Sequence, residues 1–313
     1  MTTTPISRQL HVVYCITSSG GDLYEAMTRV SLATLRLTNP GARITIACDE
    51  QTHQALQASG SQLFHEADEV RGFPTPDGPP TYRNRYVKTQ LGRLIDGPFL
   101  FLDSDTVVRK PLTPLLDLHC DIAAAPNHSR DTLAEQIWSE DQENLDAMGW
   151  QVREPYVNGG VIWYGGTLSA CRFADSWYRN WLVNFQRTGR YRDQPSFNYT
   201  LCSTSCLKHH VLEHCWNAQI RKSSSVAHEA IIWHIYFSAA GNPRDHFSLC
   251  CQNTKVSRPL NPHSRMVRNL VRASNPQLTN CSPSLWRQWL KAKSQRIKEV
   301  CVVTLKLTKD LDN

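Results

Sequence analysis

Residues 99–112 read FLFLDSDTVVRKPL. The first four, Phe99 to Leu102, are an apolar run of strand length that ends in two carboxylates one residue apart, Asp103 and Asp105. On an extended backbone residues i and i+2 point the same way, so both carboxylates face one side of the strand's carboxyl end. Open α/β sheets bind ligands at that edge. Two hard oxygen donors with no Lys or Arg between them can hold a divalent cation whose other ligands come from a substrate diphosphate. Asp-Ser-Asp alone favours a solvated turn after a strand. Thr106-Val107-Val108 resumes the strand pattern at once, so the carboxylates interrupt a strand that otherwise continues.

Strands and helices alternate on the amino-terminal side of this stretch. Leu10 to Ile16 is an apolar strand that ends in Thr17-Ser18-Ser19-Gly20-Gly21, and Asp22 can cap the helix that follows. That helix carries Met27, Val30, Leu32 and Leu35 and stops at Asn39-Pro40-Gly41. Ile44 to Cys48 is a second strand ending at Asp49, followed by a helix to Ser59 and a short strand near Leu63. The segment GFPTPDGPP at 72–80 holds four prolines and reads as a loop. Tyr82 to Ile95 reads as one helix, broken by Asp96-Gly97-Pro98 before the strand into Asp103. Repeated β-α-β units of this kind imply an α/β fold, a mostly parallel sheet flanked by helices.

Three polar clusters follow. Tyr156-Val157-Asn158-Gly159-Gly160-Val161-Ile162-Trp163 is a strand whose glycines mark either a bulge or close approach by a ligand or another chain. Arg192-Asp193-Gln194-Pro195 opens a helix, with Asp193 as N-cap and Pro195 in the first turn; a plain cap leaves Gln194 unexplained. His234 lies in the apolar run Ile231 to Phe237, where a satisfied core histidine is the alternative. Phe173, Trp177, Trp181 and Phe185, at four-residue spacing, read as a core-facing helical stripe. The segment Cys202 to Cys215 is rich in Cys and His, but its spacings lack the paired knuckles typical of structural zinc.

Together these pieces resemble nucleotide-sugar glycosyltransferases of the GT-A fold, family 8 type, which includes glycogenin and bacterial lipopolysaccharide galactosyltransferases. FLFLDSDTVV resembles the family's metal-binding strand, YVNGGVIWY its Asn-Ala/Gly-Gly strand and RDQPSFN its Asp-Gln-Asp helix start. His210 to Asn217 resembles the strand ending in Trp-Asn, and Tyr86 to Leu91 the Arg- or Lys-bearing helix before the Asp-x-Asp. The resemblance spans about residues 10 to 240. It implies a Mn²⁺ or Mg²⁺ ion held by Asp103, Asp105 and His234. It assigns Asp193, Gln194 and Asn158 to the sugar, and Lys88, Arg85, Ser104, Gly159 and Gly160 to the rest of the donor. The activity implied is transfer of a sugar from a nucleotide-diphosphate donor, UDP-hexose by analogy, with retention of configuration. Its acceptor, a glycan, a lipid-linked sugar or a protein, is not named by the sequence. The alternative is a non-catalytic relative that binds a nucleotide sugar or a protein partner.

Three departures stand out against that family. After His234 the closing Gly, Lys, Pro and Trp are missing, which leaves Lys88, Arg85 or Arg244 to meet the phosphates. Pro195 stands where the Asp-Gln-Asp motif has its second carboxylate. Asp22-x-Tyr24 is shorter than the usual Asp-x-x-Tyr after the first strand.

Composition sets the remaining expectations. The 313 residues, 41% hydrophobic, suffice for one large domain with an appendage, divided here as 1–254 and a basic, partly helical extension, 255–313. From Lys255 onward there are twelve Lys or Arg against three acids, whereas the preceding part has 22 against 25, so the net +6 resides in the tail. In that tail Ser284 can cap a helix with Trp286, Trp289 and Leu290 on one side, which suits either packing on the domain or an anionic membrane surface. No nucleic-acid motif accompanies the charge, so nucleic acid is not expected as a partner. The start MTTTPISRQLHVVYCITSS lacks the pattern of a signal peptide, and there is no long apolar run. Eleven irregularly spaced cysteines then read as reduced and mostly buried. A cytoplasmic location is expected, with peripheral contact at the inner membrane face through the tail.

Overall fold

Unbroken burial makes β1 (His11–Ile16) an interior strand of the fold. Val12, Tyr14 and Ile16 join one apolar cluster while Val13 and Cys15 join another, so the strand is covered on both faces. The structure, a computed structural model, describes residues 9–127, 136–220, 227–235, 245–254 and 258–276. After β1 comes α1 (Leu23–Thr38), whose first turn is closed by Asp22 accepting the Glu25 amide at 3.0 Å. β2 (Arg43–Asp49) lies parallel to β1, and Asp49 caps α2 (Glu50–Ala58).

Two local expectations are corrected here. Leu63 belongs to a short helix, α3 (Leu63–Glu66), and the strand comes later as β3 (Glu69–Phe73), parallel to β2. The Ser61 hydroxyl accepts the Leu63 amide at 3.2 Å, and such a local bond draws the backbone into a turn instead of a ladder. The helix expected over 82–95 is two, α4 (Pro80–Lys88) and α5 (Leu91–Leu94). Gln90 causes the break: its backbone amide turns back to Val87 O at 3.0 Å, and its side-chain amide takes the Tyr86 carbonyl at 2.6 Å.

β4 (Phe99–Leu102) runs parallel to β1 on the side away from β2. The chain then leaves this sheet at Asp103, and β5 (Thr106–Val108) enters a second one. The main sheet is completed by β6 (Ile122–Pro126), β7 (Val157–Tyr164) and β8 (His209–Val211), in the order β3-β2-β1-β4-β7-β6-β8. Only β7 opposes its neighbours. Between these strands come α6 (Ser139–Met148), α7 (Leu168–Thr188) and α8 (Gln194–Ser203). The segment expected to be a strand ending in Trp-Asn is a strand only over β8; His214–Asn217 is a 3-10 turn.

The small sheet is β5-β10-β9, with β9 (Ala218–Gln219) parallel and β5 antiparallel to β10 (Ile232–His234). Its apolar residues Val107, Ala218 and Trp233 share a cluster with Met27 and Val30 of α1. The same cluster takes Phe247 from α9 (His246–Asn253) and Leu270 from α10 (Arg265–Arg272). The segment leading to α10 is pinned too: buried Arg29 pairs with Glu66 at 2.7 Å and donates to Arg258 O, and Glu66 accepts the Leu260 amide. The helix expected after Ser284, and Arg244, fall outside the described residues.

Nine described cysteines are free thiols. Cys15, Cys48, Cys250 and Cys251 are buried, and only Cys206 is exposed. Among the described residues no helix is long and apolar enough to cross a membrane.

Candidate donor and metal site

The junction of the two sheets brings the candidate ligands together. Asp103 still belongs to the main sheet, its amide bonded to Gly160 O of β7 at 2.8 Å. Asp105 already belongs to the small one, its carbonyl accepting the Ile235 amide at 2.9 Å. Register then sets His234 opposite Thr106. Single ligand atoms of Asp103, Asp105 and His234 lie within 4.8 Å of one another. The expected cause was two side chains on one face of a strand; that is corrected, because residues 103–105 are a turn between sheets. A hydrogen-bonding change of partner, from β7 to β10, turns the backbone there.

His234 is 3% exposed, and its tautomer follows from its neighbours. The Gly160 amide can only donate, and it donates to Asn158 Oδ1 at 2.9 Å. Asn217 must therefore present Nδ2 to that same oxygen, at 2.9 Å, and its Oδ1 to His234 Nδ1, at 3.0 Å. Nδ1 carries the proton, and Nε2 points at the carboxylates, 3.1 Å from Asp105 Oδ1 and 3.9 Å from Asp103 Oδ2. Burial alone would lower the His234 pKa, but Asp105 and Asp103 outweigh it and raise it. A cation that displaces the Nε2 proton meets a lone pair and two carboxylates. This mixed O and N donor set suits a hard to borderline divalent ion.

Gly160 explains one glycine of the strand. A Cβ there would lie 2.8 Å from Asp103 Oδ2 and from His234 Nδ1, and closer still to His234 Cε1. The close approach expected at this glycine is that of the chain's own ligands. Around Gly159 a Cβ would meet nothing within 4 Å.

The other expected residues continue the network. Lys88, 3% exposed, sits over the Phe101 ring and bridges Asp103 Oδ1 at 3.2 Å and Asp193 Oδ2 at 3.1 Å. Burial would lower its pKa, but Asp103 and Asp193 raise it overall. Arg85 lies with Nε 3.0 Å from Asp193 Oδ1. Asp193 is thus not the expected cap: its side chain bonds no amide of α8. Two buried-side cations outcompete the helix amides for a carboxylate, and although burial would raise its pKa, Arg85 and Lys88 lower it. The backbone of Asp193 is fixed separately, because Trp177 Nε1 donates to its carbonyl at 3.1 Å. Phe173, Trp177 and Trp181 of the α7 stripe are core, as expected, while Phe185 is half-buried, and Trp177 also sets the start of α8.

Gln194 accepts from Asn158 Nδ2 at 3.1 Å and from the Gly159 amide at 3.3 Å. Ser104 shares a hydrogen bond with the Thr28 hydroxyl at 2.8 Å, which ties the Asp-x-Asp turn to α1. Asp22 is taken up as a cap, and Tyr24 is 58% exposed. Sequence reasoning missed Asp141, a buried carboxylate of α6 whose Oδ2 accepts from Gln194 Nε2 at 3.3 Å. Pro195 offers no carboxylate, and the one that meets Gln194 comes from Asp141. Nothing in the sequence marks it beyond an acid in a helix's first turn. Among the described residues the Cys202 to Cys215 segment gathers no metal-capable group of three; the group found is Asp103, Asp105 and His234.

A mostly parallel sheet with an Asp-x-Asp and a histidine gathered at the carboxyl end of its central strand is the arrangement of GT-A transferases. The chain belongs to the nucleotide-diphospho-sugar transferase family, whose sequence profile matches residues 43–235, more than half of its length. Among solved structures it is similar to the galactosyltransferase LgtC in complex with donor and acceptor sugar analogs, at 16% identity and a TM-score of 0.50. That match covers 90% of this chain and 100% of LgtC. The bifunctional glycosyltransferase WbbM matches at 14% identity and a TM-score of 0.51, over 82% of this chain and 52% of WbbM, so this chain spans about half of that protein. No curated protein matches the chain by sequence.

Proposed function

We propose that the protein is a divalent-metal-dependent, retaining glycosyltransferase that uses a uridine-diphosphate hexose. The observation that carries this is the junction of Asp103, Asp105 and His234 Nε2 with the Asn158–Gln194–Asp193 group in one hydrogen-bonded network. Asp103, Asp105 and His234 would hold Mn²⁺ or Mg²⁺, which supplies Lewis acidity toward the departing diphosphate. Nucleotide and stereochemistry rest on the family 8 resemblance.

The chain's own residues divide the remaining work. Arg85, with 30% of its side chain exposed, is the cation best able to reach a diphosphate; Lys88, at 4%, is enclosed by carboxylates. Lys88 holds Asp103 to Asp193 and so couples the metal side to the sugar side. Asn158, Gln194 and Asp193 orient the sugar; Asn158 bonds Gln194 and Lys88 holds Asp193, so each is fixed before the donor arrives. Open space beside Gly159 leaves room for the donor against β7.

Turnover of UDP-hexoses with and without Mn²⁺ tests the reading. In the presence of Mn²⁺ the parent is expected to release UDP, and Asp105→Asn to lose that activity while keeping its melting temperature. Equal turnover by Asp105→Asn and parent would overturn the assignment of the metal site.

A further inference from the structure

We propose that Asp141 is a positioning residue for transfer, holding the Gln194 amide in the single orientation that fits Asn158 and Gly159. This rests on the function proposed above. Asp141 is 1% exposed and lies 53 residues from Gln194 in sequence. Its carboxylate gathers three donors from two segments, the residue before β7 and the start of α8. Arg192 Nη1 bonds Oδ1 at 2.8 Å, while Tyr156 OH at 3.2 Å and Gln194 Nε2 at 3.3 Å bond Oδ2.

The two ends of the Gln194 amide face groups of opposite and unambiguous character. At one end the Gly159 backbone N–H can only donate, so the atom 3.3 Å from it is Oε1. At the other end a carboxylate paired with an arginine accepts, so the atom facing it is Nε2. An amide flip would set N–H against N–H and oxygen against oxygen. Asn158 Nδ2 adds a second donor to Oε1, so that oxygen is committed to two hydrogen bonds. Without Asp141 only the β7 end is fixed and the NH₂ end is released.

Stability gives a weak reason for such a residue, because a buried ion pair recovers little beyond its desolvation. Orientation gives a stronger one. Tyr156 precedes β7, Arg192 precedes α8, and Gln194 is the first residue of α8, so one carboxylate sets the strand and the helix start that flank the sugar-facing amides. None of these three hydrogen bonds reaches Asp193 or the metal group; the one that meets a sugar-facing side chain is the bond to Gln194, and Asp193 feels the Asp141 charge through space.

The test combines Asp141→Ala, Asp141→Asn, Gln194→Ala and the double variant Asp141→Ala/Gln194→Ala in the full-length protein. Two readouts are taken: kcat and KM for UDP-hexose with Mn²⁺, and the side-chain amide signal of Gln194 in [¹⁵N]Gln-labelled protein, identified by its loss in Gln194→Ala. Asp141→Ala is expected to lower kcat by about 10- to 100-fold with donor KM nearly unchanged. The double variant should be no slower than Gln194→Ala alone. The Gln194 signal should collapse toward the position of a solvent-exposed amide. Asp141→Asn keeps the volume and one acceptor oxygen, restores part of kcat, and carries the comparison if the alanine variant does not fold. An unmoved Gln194 signal, or additive losses in the double variant, would overturn the proposal. A parent without Mn²⁺-dependent turnover whose Gln194 signal still responds to Asp141 would sink the proposed activity and leave the amide clamp standing.

Discussion

A neutral imidazole ligates through whichever nitrogen its other hydrogen bond leaves free. At His234 that choice is made by Asn217, which is itself oriented by Asn158 and the Gly160 amide. Asn217→Leu removes the acceptor for Nδ1–H and should weaken Mn²⁺ binding by about 10- to 100-fold, the range for such supporting groups. Titration of free Mn²⁺ against the variant checks this, and unchanged affinity would show that the tautomer is set elsewhere. Asp193 gives a pH signature. Its folded pKa is lowered, so it contributes stability above the unfolded carboxylate value, and this is lost as pH falls through the lower folded value. Asp193→Asn should therefore lower stability at neutral pH and narrow the gap from the parent below about pH 4. Denaturation at a series of pH values reads this out; a constant gap would mean the carboxylate's charge is not what Lys88 and Arg85 recognise.

At the scale of elements, β7 separates two glycines that look equivalent in sequence. Gly160 backs directly onto Asp103 and His234, whereas Gly159 faces open space. Gly160→Ala should displace the ligands, abolish Mn²⁺ binding and lower the melting temperature. Gly159→Ala should fold as the parent does and raise the donor KM, because its methyl occupies the room proposed for the donor. Equal effects of the two on Mn²⁺ binding would contradict this division. β10 has its own brace: the Arg109 guanidinium stacks 4.1 Å from the Trp233 ring and donates to Ala227 O, Val271 O and Ala273 O. The strand that carries His234 is thereby clamped to the carboxyl end of α10.

Across the whole molecule this brace gives residues 258–276 a structural role. α9 and α10 both pack on α1, and Val267, Leu270 and Val271 are buried there. A chain ending at residue 257 loses those side chains, each worth about 1.5–3 kcal/mol of burial, together with two acceptors of Arg109, Val271 O and Ala273 O. It should melt earlier and bind Mn²⁺ more weakly than a chain ending at 276. Co-sedimentation of the parent and the 276 chain with anionic and neutral liposomes, at low and high salt, tests the proposed membrane contact of the basic tail. Loss of salt-sensitive anionic binding on truncation is expected; equal binding by both chains would reject a membrane role for residues 277–313.

Much of the α/β plan was legible from local pattern. An apolar run fixes a strand wherever both faces are buried, as at Val12 to Ile16 and Phe99 to Leu102. Asp22 before an apolar-periodic segment likewise fixed the start of α1. Short elements such as α3 were not legible, because the apolar pair Leu63-Phe64 fits a turn and a strand equally and Ser61 decides between them. The candidate ligands could be named from the sequence, since Asp-x-Asp and a histidine in an apolar run are chemically conspicuous. Their assembly could not. Asp103 and His234 meet because the chain changes sheets at Asp103 and β10 pairs with β5, and a pairing register over more than a hundred residues leaves no local trace. Asp141 is the extreme case. Its carboxylate has the composition of any surface acid, and only the packing of α6 against α7 and α8 buries it beside Gln194, where a hydrogen bond at 3.3 Å gives it a partner.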